Sequence, residues 1–502
     1  MRRRDVLKTA AYVPFLYAAK SAPAADATEL TASEAVRRIQ EGQLRAEDYA
    51  AQLLKKYKLI KDLHPVTWID EPRVLESARS VDRARARGER LTPLAGLPLI
   101  IKDNIDTIGF PTSAGTNALK KYFPRKNAPV VDTLFKNGAI LLAKANMHEL
   151  ARGGTSTNPT FGIVRNPYDP SRIPGGSSGG TAVAVAARMA PAGLGTDTAG
   201  SVRVPAAFCG IAGLRPSTAG SRKRYSDEGV IPLALDLDTI GPIARTVSDV
   251  ALLNAVITGR AIPTPGSLRG VRIGIPRAFF WEDLDTEVAK VMDGTLARLR
   301  DAGVTFVDFD VKPLHELAAQ VFGILIGVGG RDDLAAFLAK NVPGIKLDDV
   351  IAGISTQTLK ARLERGRTAA FASDVVERAR TVQRANIVRL YEAVFHTHGL
   401  SAIAYPTEPV PAPLINVSGD TDKDVLEING KKFAEGSVLA RNTTMTCALG
   451  APGLTIPVGL TPQGLPVGME LSGLAGEDEK LLGLGLAVEA IVGPLPPPPR
   501  SR

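Results

Sequence analysis

Three residues of this chain could together perform serine chemistry: Lys102, Ser177 and Ser201. Each serine lies in a glycine-rich stretch, the first at residues 175–180 (Gly-Gly-Ser-Ser-Gly-Gly) and the second at residues 195–203 (Gly-Thr-Asp-Thr-Ala-Gly-Ser-Val-Arg). Glycines let the backbone approach a ligand closely, and a serine hydroxyl becomes a nucleophile when a neighbouring base takes its proton. The two loops therefore predict a site where a serine attacks a substrate that backbone N–H groups hold.

Lys102 is a candidate for the base. A lysine accepts a proton only as the neutral amine, so its pKa has to fall from about 10.4 towards about 7–8, which burial can achieve. Residues 97–101 form a short apolar run that is typical of a buried strand, and Lys102 follows it directly. The end of such a strand would place the amine in apolar surroundings.

The second loop precedes a predicted helix, and Pro205 suits the first turn of that helix. Backbone N–H groups at a helix start can bind an anion, and N–H groups aimed at a developing oxyanion lower the reaction barrier. We expect the backbone of Thr198, Ala199 and Gly200 to take this role. A helix at residues 181–189 and a strand at residues 192–194 would connect the two loops.

The remaining pattern indicates an α/β fold. Residues 30–90 predict two or three helices, the first beginning near Thr31. A strand, a helix and a strand at 271–276, 285–302 and 304–310 form a unit that implies a parallel strand pair. The other predicted elements are strands at 400–405, 454–458 and 465–471 and a helix at 479–491.

The first 24 residues have the pattern of an export signal. The charged residues 1–8 include an arginine pair, an apolar stretch follows at 9–19, and residues 22–24 (Ala-Pro-Ala) match a cleavage site. The arginine pair is similar to a twin-arginine signal, so we expect cleavage near Ala24 and a periplasmic protein without a membrane anchor.

No linker divides residues 30–492. We therefore predict a signal at 1–24, a single domain at 25–493 and a proline-rich tail at 494–502, which is either disordered or attached to the domain.

The composition argues against nucleic-acid binding. The first 24 residues contribute +4 of the net charge of +9, and the remaining +5 is spread without long runs. Aromatic residues make up only 5% of the chain, whereas proteins that bind single strands combine basic and aromatic side chains. Two cysteines, Cys209 and Cys447, lie far apart in the sequence and are more typical of buried thiols than of a disulfide.

The two loops, their spacing from Lys102 and the segment 99–104 (Leu-Ile-Ile-Lys-Asp-Asn) resemble the amidase signature family. The resemblance implies a large mixed central β-sheet covered by helices on both faces. It implies a Ser–cis-Ser–Lys triad with Ser201 as the nucleophile that forms an acyl-enzyme, Ser177 as the bridging serine after a cis peptide, and Lys102 as the base. It implies a small-molecule amide as substrate, with neither a metal nor another cofactor, and we consider a homodimer as the assembly.

Residues 208–217 and 237–242 are most similar to the mandelamide and indoleacetamide hydrolase branch of that family. This similarity implies small linear carboxamides, of the arylalkyl kind, as substrates, and Gly153, Gly154 and Thr155 as pocket residues. Pocket walls would come from segments 110–160, 220–240 and 405–445. Many family members have glycine where this chain has Ala199, which puts the shape of the acyl pocket in question.

Two alternatives remain open. Residues 175–179 also match the G-x-S-x-G elbow of α/β-hydrolase esterases, which would make Ser177 the nucleophile and require His315, His396 or His398 as the base. The same fold also serves as the ammonia-producing subunit of tRNA-dependent amidotransferases, although the predicted export signal argues against that role.

Overall fold

A computed structural model describes residues 26–218, 223–365, 371–416 and 424–499. Its strands, numbered in chain order, are β1 (Val66–Trp68), β2 (Pro98–Lys102), β3 (Ile140–Ala145), β4 (Ala192–Asp197), β5 (Ala212–Arg215), β6 (Thr239–Ala244), β7 (Arg272–Ile275), β8 (Thr305–Asp308), β9 (Ala402–Pro406), β10 (Val425–Ile428), β11 (Lys431–Ala434), β12 (Gly453–Leu460) and β13 (Pro466–Ser472).

Eleven of these strands form one sheet in the order β1-β3-β2-β4-β6-β5-β12-β13-β9-β7-β8, and β10 pairs with β11 in a separate hairpin. The sheet is mixed. Strand β2 runs parallel to β3 and β4, and β7 runs parallel to β8 and β9. The strands between these two groups pair in antiparallel fashion.

The helices in the described part of the chain surround this sheet. In chain order they are α1 (Ala32–Gln40), α2 (Ala46–Ile60), α3 (Glu71–Ala86), α4 (Pro129–Lys136), α5 (Gly179–Ala186), α6 (Arg203–Phe208), α7 (Val247–Thr258), α8 (Arg277–Phe280), α9 (Thr286–Asp301), α10 (Lys312–Asn341), α11 (Leu347–Ala352), α12 (Gln357–Arg365), α13 (Ser373–Arg378), α14 (Arg384–His398), α15 (Glu435–Val438), α16 (Thr444–Leu449) and α17 (Asp478–Val492).

Both faces of the central strands are covered. Successive side chains of a strand point to opposite faces, and every residue of β2, β4, β5, β6, β9 and β13 is buried. Helix α5 packs on β2 and β4, α7 on β5 and β6, and α9 and α17 on β12 and β13. The predicted fold, a large mixed sheet with helices on both faces, is confirmed.

Some helices and strands near the glycine-rich loops begin or end at residues other than those predicted. Lys102 is the last residue of β2 rather than the residue after it, and α5 begins at Gly179, inside the first glycine-rich loop. Strand β4 continues to Asp197, so it leads directly into the second loop. The helices predicted within residues 30–90 are α1, α2 and α3, and the Thr31 hydroxyl accepts from the Glu34 N–H at the start of α1, 3.2 Å away.

The predicted export signal lies outside the described residues. None of the helices in the described ranges is long and apolar enough to cross a membrane. At the other end of the chain, the Tyr168 hydroxyl donates to the Pro496 carbonyl over 3.1 Å, so the described part of the proline-rich tail contacts the domain.

Helix α5 approaches the backbone of its neighbours at Gly180. The Gly180 N–H donates to the Asn146 carbonyl over 3.0 Å, and a Cβ placed on Gly180 would lie 2.2 Å from that oxygen and 2.5 Å from the Pro65 carbonyl. Both obstacles are backbone atoms, which cannot rotate away. Only glycine therefore fits here.

We predict that Gly180→Ala lowers the free energy of unfolding by about 1–3 kcal/mol, the usual cost of overpacking. Gly294→Ala is the control, because Gly294 lies on the exposed side of α9 with no atom within 4 Å of an added Cβ. It should stabilise the protein by about 0.5–1 kcal/mol. Urea denaturation measures both values, and equal effects of the two substitutions would contradict the packing argument.

Candidate active site

Lys102 lies at the carboxyl end of β2, between the parallel strands β3 and β4, and is fully buried. Its Nζ donates to Ser177 Oγ over 2.7 Å and to Thr196 Oγ1 over 2.7 Å. Burial lowers the pKa of Lys102 to about 7, although the charges of Asp197 and Asp238 act in the opposite direction. A large fraction of this lysine is therefore neutral near pH 7 and can accept a proton.

Ser177 lies in the loop that precedes α5, and the Gly176–Ser177 peptide is cis, the isomer that the resemblance implies. The loop is held by segment 148–156. The His148 N–H donates to the Ser177 carbonyl over 3.1 Å, and Ser156 Oγ donates to the Gly175 carbonyl over 2.9 Å. These bonds keep the buried Ser177 hydroxyl beside the amine of Lys102.

Ser201 lies between β4 and α6, next to the first loop. The Ser178 N–H donates to the Ser201 carbonyl over 3.2 Å, which joins the two glycine-rich loops directly. Within the described residues the Ser201 hydroxyl has no hydrogen-bond partner. Ser201 is 8% exposed, whereas Lys102 and Ser177 are fully buried. The three residues thus lead from the interior to the surface, with Ser201 outermost.

The backbone of the second loop differs in one respect from our prediction. The Gly200 N–H donates to Asp197 Oδ1 over 3.0 Å, so it is already engaged and is not free for an oxyanion. The N–H groups of Thr198 and Ala199, also predicted for this role, remain candidates. The Thr443 hydroxyl donates to the Ala199 carbonyl over 2.7 Å and lies against Gly200, where an added Cβ would come within 2.2 Å of it.

Asp197 anchors the second loop. Besides Gly200, its carboxylate accepts from the Val202 N–H at 3.1 Å, from Arg203 Nε at 3.0 Å and from Arg215 at 3.0 Å. Burial opposes ionisation of this carboxyl, but the two guanidinium charges outweigh burial and hold its pKa well below the usual range. The loop that carries Ser201 is therefore built around a buried ionised carboxylate.

Hydrogen bonds of Arg203 and Tyr405 to Glu470 extend this network to strands β13 and β9. Arg203 also donates to Glu470 on β13, and the Tyr405 hydroxyl on β9 donates to the same carboxylate oxygen over 3.1 Å. Arg203 and Arg215 are both fully buried. The ion pair between Asp197 and Arg203 is thus part of a network that ties the loop to several strands.

Gly153, Gly154 and Thr155, predicted as pocket residues, lie against the Ser177 loop. A Cβ on Gly176 would lie 2.9 Å from the Gly153 carbonyl, so the two segments touch backbone to backbone. The buried Thr155 hydroxyl is within 2.7 Å of Thr157 Oγ1 and 3.3 Å of His148 Nδ1, so it already has partners inside its own segment.

His148 is a site residue that sequence reasoning missed. Its buried imidazole lies beside Gly153, where an added Cβ would meet the ring at 2.2 Å, and burial lowers its pKa to about 3. It is therefore neutral at ordinary pH. A single histidine outside any recognised motif gave no signal in the sequence.

The three histidines of the esterase alternative lie elsewhere. His315 stacks on Phe279, with 3.4 Å between ring centroids, and His398 stacks on Phe309 at 5.4 Å. In the described part of the chain, no hydrogen bond joins His315, His396 or His398 to Ser177, whose hydroxyl is bonded to Lys102 instead. Cys209 and Cys447 are both free and buried, as we expected.

The same site residues lie within a region that a known protein family matches. The family model described as Amidase covers residues 49–482. The chain is 38% identical over 462 residues to an indoleacetamide hydrolase of Agrobacterium vitis, which covers 90% of this chain and 95% of the relative. It is 35% identical over 489 residues to a mandelamide hydrolase of Pseudomonas putida, which covers 94% and 93%.

The fold agrees with these sequence comparisons. A crystal structure of an amidase superimposes with a TM-score of 0.81 at 33% sequence identity, and the match covers 92% of this chain and all of that one.

We predict that Arg203→Met lowers the free energy of unfolding by about 3–5 kcal/mol, because removing one partner of a buried ion pair leaves an uncompensated charge. Arg83→Met is the matched control, since the pair of Arg83 with Glu76 is more than half exposed on both sides and should contribute less than about 1 kcal/mol. Thermal and urea unfolding of both variants measure the difference. A loss at Arg203 no larger than at Arg83 would mean that the network does not hold the loop.

Proposed function

The chain belongs to the amidase family and hydrolyses carbon–nitrogen bonds of amides other than peptides, and we propose that it does so through Lys102, Ser177 and Ser201. The observation that carries this proposal is the 2.7 Å bond from the buried amine of Lys102 to the Ser177 hydroxyl, on a loop bonded to that of Ser201. The base and the bridging hydroxyl are thus in contact, and the proposed relay is completed when the Ser201 hydroxyl bonds to Ser177 Oγ.

In the first half of the reaction, Ser201 Oγ attacks the amide carbonyl carbon. Its proton passes to Ser177 Oγ as the Ser177 proton passes to the neutral amine of Lys102. The carbonyl oxygen becomes an oxyanion, which the N–H groups of Thr198 and Ala199 stabilise. The C–N bond then breaks, the proton returns through Ser177 to the leaving nitrogen, and ammonia departs from an acyl-enzyme on Ser201.

In the second half, a water molecule takes the place of ammonia. Lys102, again neutral, accepts a proton through Ser177 as the water oxygen attacks the acyl carbon. The bond from this carbon to Ser201 Oγ breaks, the proton returns to Ser201, and the carboxylic acid leaves. Each half uses the same groups in opposite order, so the enzyme returns to its starting protonation state.

The relay sets the dependence of the rate on pH. Protonated Lys102 cannot accept a proton, so we predict that kcat/KM rises with pH through about 7. Lys102→Ala should be slower by about 10⁴-fold or more and should lack this rise. Ammonia release by the purified chain alone, from mildly acidic to mildly alkaline pH, measures both effects and requires no tRNA and no partner subunit.

The control is Lys58→Ala, which removes a lysine whose side chain is 61% exposed and should keep the rise. Ser201→Ala should lose turnover while its unfolding curve stays near that of the parent. If the rise near pH 7 persists in Lys102→Ala, the base is misassigned. If the chain releases ammonia only when a partner subunit is present, the amidotransferase alternative gains.

We propose that the acyl part of the substrate lies against an apolar cluster next to the two loops. Behind the two glycine-rich loops, one cluster of buried residues contains Ile173, Val204, Phe208, Ala412 and Leu439. Leu439 lies against Gly154, 3.4 Å from the position of an added Cβ. The two curated relatives carry the names of indoleacetamide and mandelamide, amides with an aromatic ring in the acyl part. Both observations support arylalkyl carboxamides as substrates.

We predict that indoleacetamide and mandelamide are hydrolysed with a higher kcat/KM than acetamide, because the cluster buries the ring. Leu439→Ala should reduce kcat/KM for the aromatic amides by about 10-fold or more and reduce that for acetamide much less. Leu390→Ala, at a 42% exposed position on α14, is the control. Equal losses for aromatic and aliphatic amides would contradict an apolar acyl pocket at this cluster.

A further inference from the structure

Asp238, which is not one of the three proposed catalytic residues, contacts the second glycine-rich loop. The Thr198 hydroxyl donates to Asp238 Oδ1, and the N–H groups of Leu233 and Ala234 donate to Asp238 Oδ2 over 2.8 Å and 3.0 Å. Asp238 is 5% exposed. One buried carboxylate therefore joins Thr198, the first residue after β4, to a turn that we call the 233–238 turn.

The 233–238 turn is itself held by the helices outside the sheet. The Leu235 N–H donates to Asp333 on α10 over 2.7 Å, and α10 passes so close to Ala234 that an added Cβ on Gly329 would lie 2.5 Å from its Cα. Arg384 on α14 donates to the Asp236 carbonyl over 3.0 Å. Two helices therefore hold the turn in addition to the loop that it contacts.

The turn also lies beside the base. The N–H of Ile231, two residues before the turn, donates to the carbonyl of Asn104 over 2.9 Å, and Asn104 lies two residues after Lys102. In the sheet, Thr239 pairs with Asp197 and Ile240 with Thr196, the residue whose hydroxyl accepts from Lys102. Asp238 therefore directly precedes β6, the strand that pairs with Thr196, and Thr196 accepts a hydrogen bond from Lys102.

We propose that Asp238 is a positioning residue that fixes Thr198 so that the loop N–H groups meet the oxyanion. A second effect accompanies this role, because the charge of Asp238 favours the protonated form of Lys102. This inference rests on the proposed function. The hydrogen bond between the Thr198 hydroxyl and the Asp238 carboxylate would then contribute to the rate in addition to the proposed proton relay.

The second effect is electrostatic, and the charges near Lys102 and Asp238 determine its direction. Burial raises the pKa of Asp238, while the Thr198 hydroxyl, the Lys223 ammonium and the two N–H groups lower it. The titratable and charged groups that act on Lys102 or on Asp238 are Asp197 at the end of β4, the neutral His148, Lys223 and Arg152. Removal of the Asp238 charge leaves Asp197 as the only carboxylate of this set that favours a protonated Lys102.

The test compares two substitutions that break the same bond. Asp238→Asn removes the charge and leaves one acceptor oxygen for the three donors of Thr198, Leu233 and Ala234, whereas Thr198→Val removes the hydroxyl and leaves the charge. Both should lower kcat for a hydrolysed amide by about 10- to 100-fold, with a much smaller change in KM, because the lost contact serves the transition state. The double variant should be no slower than the slower single variant, since both act through one bond.

The pH profile separates the two roles. In Asp238→Asn the rise of kcat/KM should move to lower pH, and in Thr198→Val it should stay where the parent has it. A positioning role is overturned if kcat per folded molecule is unchanged in both variants or if their effects multiply. An unshifted rise in Asp238→Asn overturns the electrostatic part. If the parent enzyme shows no rise near pH 7, the proposed function fails before this test applies.

Asp227→Asn is the control for the nearby ion pair. Asp227 accepts from Lys223 over 2.6 Å and has no contact with Thr198 in the described structure, so its removal should change neither kcat nor the pH profile.

Discussion

The site depends on the cost of placing a charge inside the protein. An ammonium group buried at the end of β2 loses its hydration, and only part of that loss is returned by Thr196, Ser177 and the carboxylates nearby. The remaining cost makes the neutral amine competitive near pH 7. The burial of Lys102 next to Ile100 and Ile101, on a strand that is paired on both sides within the eleven-stranded sheet, therefore accounts for its lowered pKa.

The second glycine-rich loop shows the opposite use of burial. Asp197 is as deeply buried as Lys102, yet two guanidinium groups and two backbone N–H groups keep it ionised. Burial therefore favours the neutral form of Lys102, whereas Asp197 stays in its charged form. The difference comes from their partners, since hydroxyls and a carbonyl surround the lysine, whereas cations surround the aspartate.

The motifs and their spacing predicted the fold class and most elements near the site, and they pointed to Lys102 and Ser177, which the structure joins by a hydrogen bond. The parts that escaped prediction depend on contacts between distant segments. Asp238 meets Thr198 across 40 residues and Thr443 meets Ala199 across 244, and no local pattern marks such pairs. Helix α10 was missed because its apolar positions are interrupted by four glycines, which weaken the helical pattern. The bond of the Gly200 N–H to Asp197 could not be predicted either, because glycines allow many backbone conformations.

The bonds from the Gly200 and Val202 amides to a buried carboxylate have a consequence for the dynamics of the loop. These amide hydrogens reach solvent only when the network of Asp197 with Arg203 and Arg215 opens, and that network extends to the strands of Glu470 and Tyr405. Glycine-rich loops usually exchange their hydrogens with water through small local fluctuations. We therefore expect the loop that carries Ser201 to exchange its amide hydrogens as slowly as the buried strands around it, and to keep its shape between one turnover and the next.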